Sequence, residues 1–333
     1  AGFDQAAADF GVTLETTRFD PEALSADVID EQILAIQDAC QQDIDGLIVS
    51  FPSEAAVSAV AECTTRGIPV MAINAGPNIA VDSGYQYVGQ VDYRGGYEAG
   101  QRLIEAGAVE GWCMSHANVS VLFDRCDGFA KAFNDTNGVT FMDVINVPAD
   151  NETYYQEIVE AALGDGNWTG VGALAAGEVQ IAPMVNIVND HPELLSGAFD
   201  VDSTLFKALE DGDLLFGINQ HSYLQGYWPV VLLTWKAYTS QEIVNNLIET
   251  GPKFVVTPPS DAAQTCFDSY FETCEAPADT NNPPQDEASG GDESGAGDET
   301  GADQVGDDSS GGNASPGLFL TVIGASVMLL QLQ

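Results

Sequence analysis

The chain has 333 residues, of which 45% are hydrophobic, and its nine basic and 51 acidic side chains give a net charge of −42. This length allows one large domain or two ordinary ones, and the hydrophobic content is sufficient for a packed core. The charge argues against nucleic acid and anionic membrane surfaces as partners, because both are bound through basic patches. We interpret the acidity as a solvated surface suited to salty or acidic surroundings, with a cation-binding face as the alternative.

Up to about residue 260, segments with apolar residues at helical spacing alternate with short apolar runs bounded by glycine. Residues 2–11 have the pattern of the second half of an amphipathic helix, so we expect a mature or N-terminally truncated chain. The pattern then predicts helices over 28–40, 54–66, 96–108, 124–134, 153–163, 179–189, 203–211 and 224–239. Predicted strands cover 45–50, 67–73, 111–114, 139–147, 170–174, 195–199 and 214–218. This alternation is typical of βαβ units and predicts an α/β fold with parallel sheets.

Six cysteines, none in a C-x-x-C pair, favour disulfides over a zinc or redox motif. The expected pairs are Cys40 with Cys63, Cys113 with Cys126, and Cys266 with Cys274. Cys266 and Cys274 bracket a short loop, and Cys40 and Cys63 each lie at the end of a helix that precedes a strand. Cys113 and Cys126 are the two that remain. The alternative is that these cysteines are free buried thiols. Five sequons favour a secretory route, and the expected glycosylation sites are Asn118, Asn134, Asn151 and Asn167.

The C-terminal part of the chain divides into three segments. Residues 261–278 form a disulfide-bracketed extension, and 279–317 are acidic and rich in Gly and Ser, a composition that predicts a disordered linker. The tail, 318–333, is hydrophobic but short for a bilayer span, and no basic residue follows it. Small residues, a polar spacer and a short apolar tail are typical of a glycolipid-anchor signal. The alternatives are that the tail is a short membrane span, or that it is neither a span nor an anchor signal.

Polar and aromatic residues follow the predicted strands, where open parallel sheets bind their ligands. They are Phe51, Asn74, His116, Glu178, Asp200 and Gln220. Carboxylates, amides and an imidazole are suited to hydrogen-bond a neutral polyhydroxylated molecule. No Walker loop and no G-x-G-x-x-G after a strand is present, so a nucleotide would lack its usual phosphate cradle.

Several segments, in order, resemble sugar-binding periplasmic proteins of the ribose-binding type, the substrate-binding components of sugar ABC transporters. Residues 45–57 and 66–74 are similar to the family's first lobe. The segment 124–129, Asp-Arg-Cys-Asp-Gly-Phe, resembles its R-x-x-G-F segment, and 217–227 resembles its D-Q-Q-x-Y-L-Q-G-Y segment. The resemblance covers roughly residues 2 to 260.

This resemblance implies a periplasmic binding protein-like fold of two Rossmann-like lobes, joined by a hinge of three crossover strands and closing on ligand like a clamp. The first lobe would comprise 1–90 and 221–252, and the second 91–220 and 253–260. The family's first strand and its ligand-stacking aromatic loop would lie before Ala1.

The resemblance also assigns roles to residues. Arg125 would donate to sugar hydroxyls, Asp200 would accept from them, and Gln220 would do both. Asn74 replaces an acid of the family, and Glu178 follows the position of its usual amide. Structural alternatives are that Arg125 pairs with a neighbouring aspartate, that Asp200 caps a helix, that Phe51 packs in the core rather than stacking on ligand, and that His116 is only solvated.

The expected function is binding of a small sugar or polyol by lobe closure, for uptake or sensing, without catalysis and without a cofactor or metal. The expected location is secreted or at the cell surface, attached through the tail, with a membrane transporter or receptor as partner. A regulator of the lac-repressor type shares the fold and is the alternative; it requires a basic helix-turn-helix ahead of the domain, in the part of the chain before Ala1, and the cysteines and sequons, as secretion features, argue against it. A carbohydrate-active enzyme would use two carboxylates such as Glu178 and Asp200, but no nucleophile motif accompanies them.

Overall fold

The structure, a computed structural model, describes residues 1–19, 26–116, 120–146, 157–159, 161, 168–256 and 319–325. Within these residues, two six-stranded sheets alternate with helices along the chain. The predicted fold class, α/β with two sheets composed mainly of parallel strands, is confirmed.

The first sheet is parallel throughout, with the strand order β1-β12-β2-β3-β4-β10. Its strands are β1 (Thr13–Phe19), β2 (Gly46–Val49), β3 (Val70–Ile73), β4 (Gln86–Gln90), β10 (Leu247–Gly251) and β12 (Phe319–Ala325). Every residue of β2 and β3 is buried. Interior strands of a parallel sheet are covered on both faces and are therefore apolar along their length. This is why both strands could be predicted as apolar runs.

The second sheet has the order β11-β9-β8-β7-β5-β6, and only its edge strand β11 runs antiparallel, beside β9. Its strands are β5 (Glu110–Ser115), β6 (Thr140–Asn146), β7 (Val171–Ala175), β8 (Leu195–Phe199), β9 (Phe216–Asn219) and β11 (Lys253–Val255).

Helices cover both faces of each sheet. They are α1 (Gly2–Phe10), α2 (Ala26–Gln41), α3 (Val57–Thr65), α4 (Pro77–Asp82), α5 (Asp92–Glu105), α6 (Ser120–Asp135), α7 (Ile181–Asp190), α8 (Ser203–Asp211) and α9 (Ser222–Thr239). In the first sheet, Leu47 and Val49 pack toward α2 and α3, whereas Ile48 packs toward α1 and α9. This alternation follows from the two-residue period of a strand. We call the first sheet with α1–α4 and α9 the first lobe, and the second sheet with α5–α8 the second lobe.

The chain crosses between the sheets after β4, after β9 and between β10 and β11, and it returns to the first sheet between β11 and β12. The crossing between β10 and β11 is short, since only Pro252 separates the two strands. All crossings from the first sheet leave from the carboxyl ends of its strands, which places them at the edge where the predicted site residues lie.

The structure adds strands that the sequence analysis did not predict, namely β1, β4, β10, β11 and β12. β1 has no fully buried residue, and β4 carries glutamine at both ends, so neither forms a continuous apolar run. α5 begins at Asp92 rather than at residue 96, because tight packing overrides the low helix propensity of its two early glycines. The predicted helix at 153–163 lies mostly outside the described residues.

Two disulfides have the predicted pairing. Cys40 of α2 is bonded to Cys63 of α3, and Cys113 of β5 is bonded to Cys126 of α6. The third predicted pair, Cys266 and Cys274, lies outside the described residues. Asn134 is exposed on α6, whereas the sequons at Asn118, Asn151 and Asn167 also lie outside them.

The tail differs most from its predicted role. Its residues Phe319–Ala325 form β12, an interior strand of the first sheet, although the sequence predicted an anchor signal over 318–333. None of the helices in the described ranges is both long and apolar enough to span a bilayer. The extension 261–278 and the linker 279–317 are outside the described part of the chain.

Candidate functional site

Residues that directly follow strands have unusual backbone conformations. Asn74 after β3, Asp200 after β8 and His221 just beyond β9 have φ angles of 61°, 72° and 54°. Residues other than glycine rarely adopt positive φ, and such conformations concentrate at functional sites. They mark the carboxyl edges of both sheets, where the sequence analysis placed the ligand site.

Arg125 lies at the centre of this region and is fully buried. Its Nε donates to Oδ1 of Asp92 at 2.9 Å, and its Nη1 donates to Oδ2 of Asp200 at 3.1 Å. Nη1 also donates to the carbonyl of Ala176 at 2.7 Å. The guanidinium carbon lies 4.3 Å from the ring centroid of Phe199, close enough for a cation–π contact. Arg125 therefore joins the predicted Asp200 to a carboxylate that the sequence analysis did not identify.

Asp92, in the first turn of α5, is the missed partner. Its Oδ1 also accepts from Nε2 of Gln90 at 2.8 Å. Burial raises the pKa of Asp92, and Arg125 opposes this shift. Three buried atoms of this group find no hydrogen-bond partner among the described residues: Arg125 Nη2, Asp92 Oδ2 and Gln90 Oε1. The group thus combines satisfied contacts that fix its geometry with one donor and two acceptors that are still available.

Gln220 connects the two lobes. Its Nε2 donates to Oδ1 of Asp200 in the second lobe, and its carbonyl accepts from Oγ1 of Thr250 in β10 at 2.7 Å. Nε2 of Gln225 supports Gln220 by donating to its carbonyl at 3.0 Å and to its Oε1 at 3.2 Å. The structure therefore brings Arg125, Asp200 and Gln220 into one network. Asp202 rather than Asp200 caps α8, accepting from the Leu205 amide at 2.6 Å.

The predicted residues of the first lobe, Asn74 and Phe51, have other partners. Asn74 is half-buried, and its carbonyl accepts a hydrogen bond from Oη of Tyr87 at 2.8 Å. The same Tyr87 hydroxyl lies 3.1 Å from the Gln90 carbonyl oxygen. Phe51 is fully buried in the first lobe's core, with its ring stacked 5.7 Å from that of Tyr85. Phe51 thus packs in the core, as in the structural alternative, and its stacking on a ligand stays a prediction.

His116 and Glu178 lie beside the network in the second lobe, and both are half-buried. Burial lowers the pKa of His116. Burial, and then the negative charges of Asp200 and Asp202, raise the pKa of Glu178 to about 8. Asp124, which the sequence analysis did not select as a ligand residue, has its pKa raised to about 6 by burial and by Asp92 and Asp127. Several acidic groups therefore surround the single arginine.

We expect Glu178 to make folding stability depend on pH. Its pKa of about 8 exceeds the ordinary 4.5, so the folded state holds a proton that the unfolded chain has lost between these values. Stability should therefore fall as pH rises through this window. In thermal denaturation, the stability of Glu178→Gln relative to the parent should increase progressively from about pH 5 to pH 8. The exposed Glu105→Gln is the control, and a pH-independent gain for Glu178→Gln would contradict the assignment.

The family model of the periplasmic binding protein domain matches residues 1–237. A carbohydrate transporter from Acidothermus cellulolyticus 11B, solved with myo-inositol, is 24% identical with a TM-score of 0.69, covering 81% of this chain and 92% of that one. No curated protein matches the chain.

Two further solved structures have a similar fold. A glucose-galactose binding protein from Geobacillus stearothermophilus is 21% identical with a TM-score of 0.64, covering 77% of this chain and 90% of that one. A sugar-binding protein of a sugar ABC transporter from Bacillus halodurans is 20% identical with a TM-score of 0.66, covering 78% and 92%. At these identities the likeness is one of fold.

Proposed function

Since this chain belongs to the periplasmic binding protein family, we propose that it binds a small neutral sugar or related polyol at the carboxyl edges of its two sheets. The family consists of substrate-binding proteins of transporters, which are typically not enzymes. Binding would serve uptake or sensing, and the lobes would close on the ligand. Sugar-like ligands are named for structures of similar fold, myo-inositol in one and glucose and galactose in another.

The observation that carries this proposal is the buried group around Arg125. Arg125 Nη2 is a donor, and Asp92 Oδ2 and Gln90 Oε1 are acceptors, none of them paired within the described residues. An unpaired buried polar atom costs about 1–3 kcal/mol, so a ligand that pairs these atoms gains binding energy. A sugar hydroxyl both donates and accepts, and neighbouring hydroxyls can satisfy such atoms together.

The charge of the group favours a neutral ligand. Asp92 and Asp200 already flank the single guanidinium of Arg125. A ligand carboxylate or phosphate would meet these two acids rather than an unpaired cation. Burial and the charges of Asp200 and Asp92 raise the pKa values of Glu178 and Asp124, so these surroundings already disfavour a further negative charge.

The position of the group supports closure. Gln220 joins Asp200 of one lobe to Thr250 of the other, and Arg94 of α5 donates from Nη2 to the Gly251 carbonyl at 3.1 Å, next to the crossing between β10 and β11. Contacts that span crossing segments change when the lobes move, so ligand binding and lobe angle are coupled.

A glycosidase role is less well supported. A carboxyl group with a pKa of about 8, like that of Glu178, is suited to general acid catalysis. The carboxylate considered with it, Asp200, is held by donors from Gln220 and Arg125 in the binding network, no nucleophile motif accompanies the pair, and the family is one of substrate-binding proteins. We therefore propose a binding function without catalysis.

We also propose that the protein acts outside the cytoplasm, delivering solute to a membrane transporter or receptor. The two disulfides among the described residues are typical of an oxidising compartment. Attachment to the surface through the tail is not part of this proposal, because seven residues of the predicted anchor signal are built into the first sheet as β12.

Asp200→Asn tests the site. The two Asp200 oxygens face donors from Arg125 and Gln220, so in either orientation the new amide NH₂ group opposes one of them. We expect sugar affinity to fall at least about tenfold, equivalent to about 1.4 kcal/mol. Calorimetric titration of the parent, Asp200→Asn and the exposed Asp43→Asn would measure this. Equal affinities of Asp200→Asn and Asp43→Asn would exclude the assigned site.

A further inference from the structure

The disulfide of the second lobe joins the helix that carries Arg125 to the second sheet. Cys113 lies in β5, and Cys126 lies in α6, directly after Arg125 in the sequence. Both cysteines are buried, and both belong to the core that includes Phe199. The ring of the same Phe199 contacts the guanidinium of Arg125. The covalent link is therefore made one residue away from the centre of the candidate site.

The hydrogen bonds of Arg125 require a particular rotation of α6 about its axis. The guanidinium donates to Asp92 of α5, to the Ala176 carbonyl after β7 and to Asp200 after β8, so its acceptors belong to three different parts of the lobe. Neighbouring residues of a helix point about 100° apart, which lets Arg125 reach these acceptors while Cys126 reaches the sheet. A turn of α6 by about 10° would move the end of a long side chain by about 1 Å. A shift of this size lengthens a hydrogen bond beyond its normal range.

The contact of α6 with α5 constrains its rotation less than its distance, because the contact is made through glycines. A Cβ at Gly96 of α5 would lie 1.9 Å from the carbonyl oxygen of Arg125. One at Gly128 of α6 would lie 2.0 Å from the carbonyl oxygen of Tyr93. Glycines bring two helices close together, but they provide no side-chain ridge that resists turning or sliding. The disulfide resists both movements, since it holds α6 covalently to β5.

The first lobe contains a disulfide that serves as a control. Cys40 lies in the last turn of α2 and Cys63 in the last turn of α3, and the strands β2 and β3 follow these helices. This bond is therefore near the amino ends of two strands, whereas Asn74 and the candidate site lie at the carboxyl ends. The sequence separations are 23 residues for this bond and 13 for the bond in the second lobe. Loops of such similar size predict similar contributions to stability.

We propose that Cys113 and Cys126 are positioning residues of the ligand site. Their disulfide sets the rotation of α6 and so holds Arg125 Nη2, which finds no partner among the described residues, toward the ligand. Without the disulfide, α6 stays in the lobe through its apolar contacts, but Arg125 loses its fixed orientation. The effect on ligand affinity rests on the proposed function, whereas the orientation of Arg125 is tested without any ligand.

The Nε–H group of Arg125 reports this orientation. The chain has five arginines, all within the described residues, and only Arg125 is fully buried. Because its Nε donates to the buried Asp92, its proton should exchange slowly with water and give a separate NMR signal. In Cys113→Val with Cys126→Ala, we expect this exchange to be at least about tenfold faster than in the parent. Valine suits a strand and alanine a helix, so these substitutions preserve both elements.

The matched control is Cys40→Ala with Cys63→Ala, in which the Nε–H exchange of Arg125 should stay within about twofold of the parent. Both double variants should melt about 5–10 °C below the parent, so a general loss of stability affects them alike. Equal exchange rates in the two double variants would overturn the proposal. Failure of the second-lobe variant to fold, while the control folds, would also overturn it, because the disulfide would then serve folding rather than positioning.

Sugar affinity is the second measurement. In calorimetric titration with pentoses, hexoses and myo-inositol, Cys113→Val with Cys126→Ala should bind at least about fivefold more weakly than the parent. Cys40→Ala with Cys63→Ala should bind within about twofold of the parent. Equal affinities of the two double variants would contradict the positioning role. A folded parent that binds none of these sugars would overturn the proposed function instead, and the Nε–H exchange would still decide whether the disulfide positions Arg125.

Discussion

Arg125→Ala should destabilise the protein by about 3–5 kcal/mol, because it leaves the buried carboxylates of Asp92 and Asp200 without their cation. The arginine is 0% exposed and holds segments from α5, α6, β7 and β8 together. Denaturant unfolding would measure the loss. Arg66→Ala, which removes an exposed guanidinium, should cost less than about 1 kcal/mol.

Arg125→Lys separates binding from folding. Lysine keeps the positive charge between the two carboxylates. It lacks the planar guanidinium, which in Arg125 donates to three acceptors and still has Nη2 available for a ligand. We expect it to recover much of the stability lost in Arg125→Ala while sugar affinity stays at least about tenfold below the parent. If Arg125→Ala unfolds like Arg66→Ala, or if Arg125→Lys binds like the parent, the network does not have the role described.

Gly96→Ala should have the second large effect. A Cβ at Gly96 would lie 1.9 Å from the carbonyl oxygen of Arg125, and one at Gly128 would lie 2.0 Å from that of Tyr93. α5 and α6 are thus in backbone contact, and an added methyl group forces them apart. We expect a loss of about 3 kcal/mol despite the better helix propensity of alanine, together with weaker sugar binding as the Arg125 backbone moves.

The neighbouring glycine provides the control. A Cβ at Gly95 meets ring atoms of Phe199 at 3.0 Å and Pro252 at 3.5 Å, and side chains can shift more easily than a helix backbone. Gly95→Ala should therefore cost clearly less than Gly96→Ala in the same unfolding experiment. If the two substitutions cost the same, close contact between α5 and α6 does not position Arg125.

The parts of the fold that were predictable are those whose residues show their burial in the sequence. β2 and β3 are continuous apolar runs because both faces of the sheet are covered. β1 and β4 are partly polar, and their pairing depends on neighbours that are distant in sequence. β12 illustrates this most clearly, since an apolar segment at the end of the chain fits a strand and an anchor signal equally well until its partners are known.

The candidate site divides in the same way. Arg125, Asp200 and Gln220 were selected because they match the family segments or follow predicted strands, and the structure brings them together. Gln90 was missed because it ends the unpredicted β4, Asp92 because it begins α5 before the predicted helix start, and Thr250 because it lies in the unpredicted β10. Phe51 also follows a strand, but its ring is directed into the core, a distinction that the sequence does not contain.

The central claim is that this chain binds a neutral sugar or polyol through the Arg125 group. The most direct test is calorimetric titration of the unmodified protein with pentoses, hexoses and myo-inositol, with amino acids as charged comparisons. We predict saturable binding of at least one neutral polyhydroxylated ligand at one site per chain, and none of the amino acids. Failure of the whole sugar panel to bind the folded protein, or preferential binding of a charged ligand, would contradict the claim.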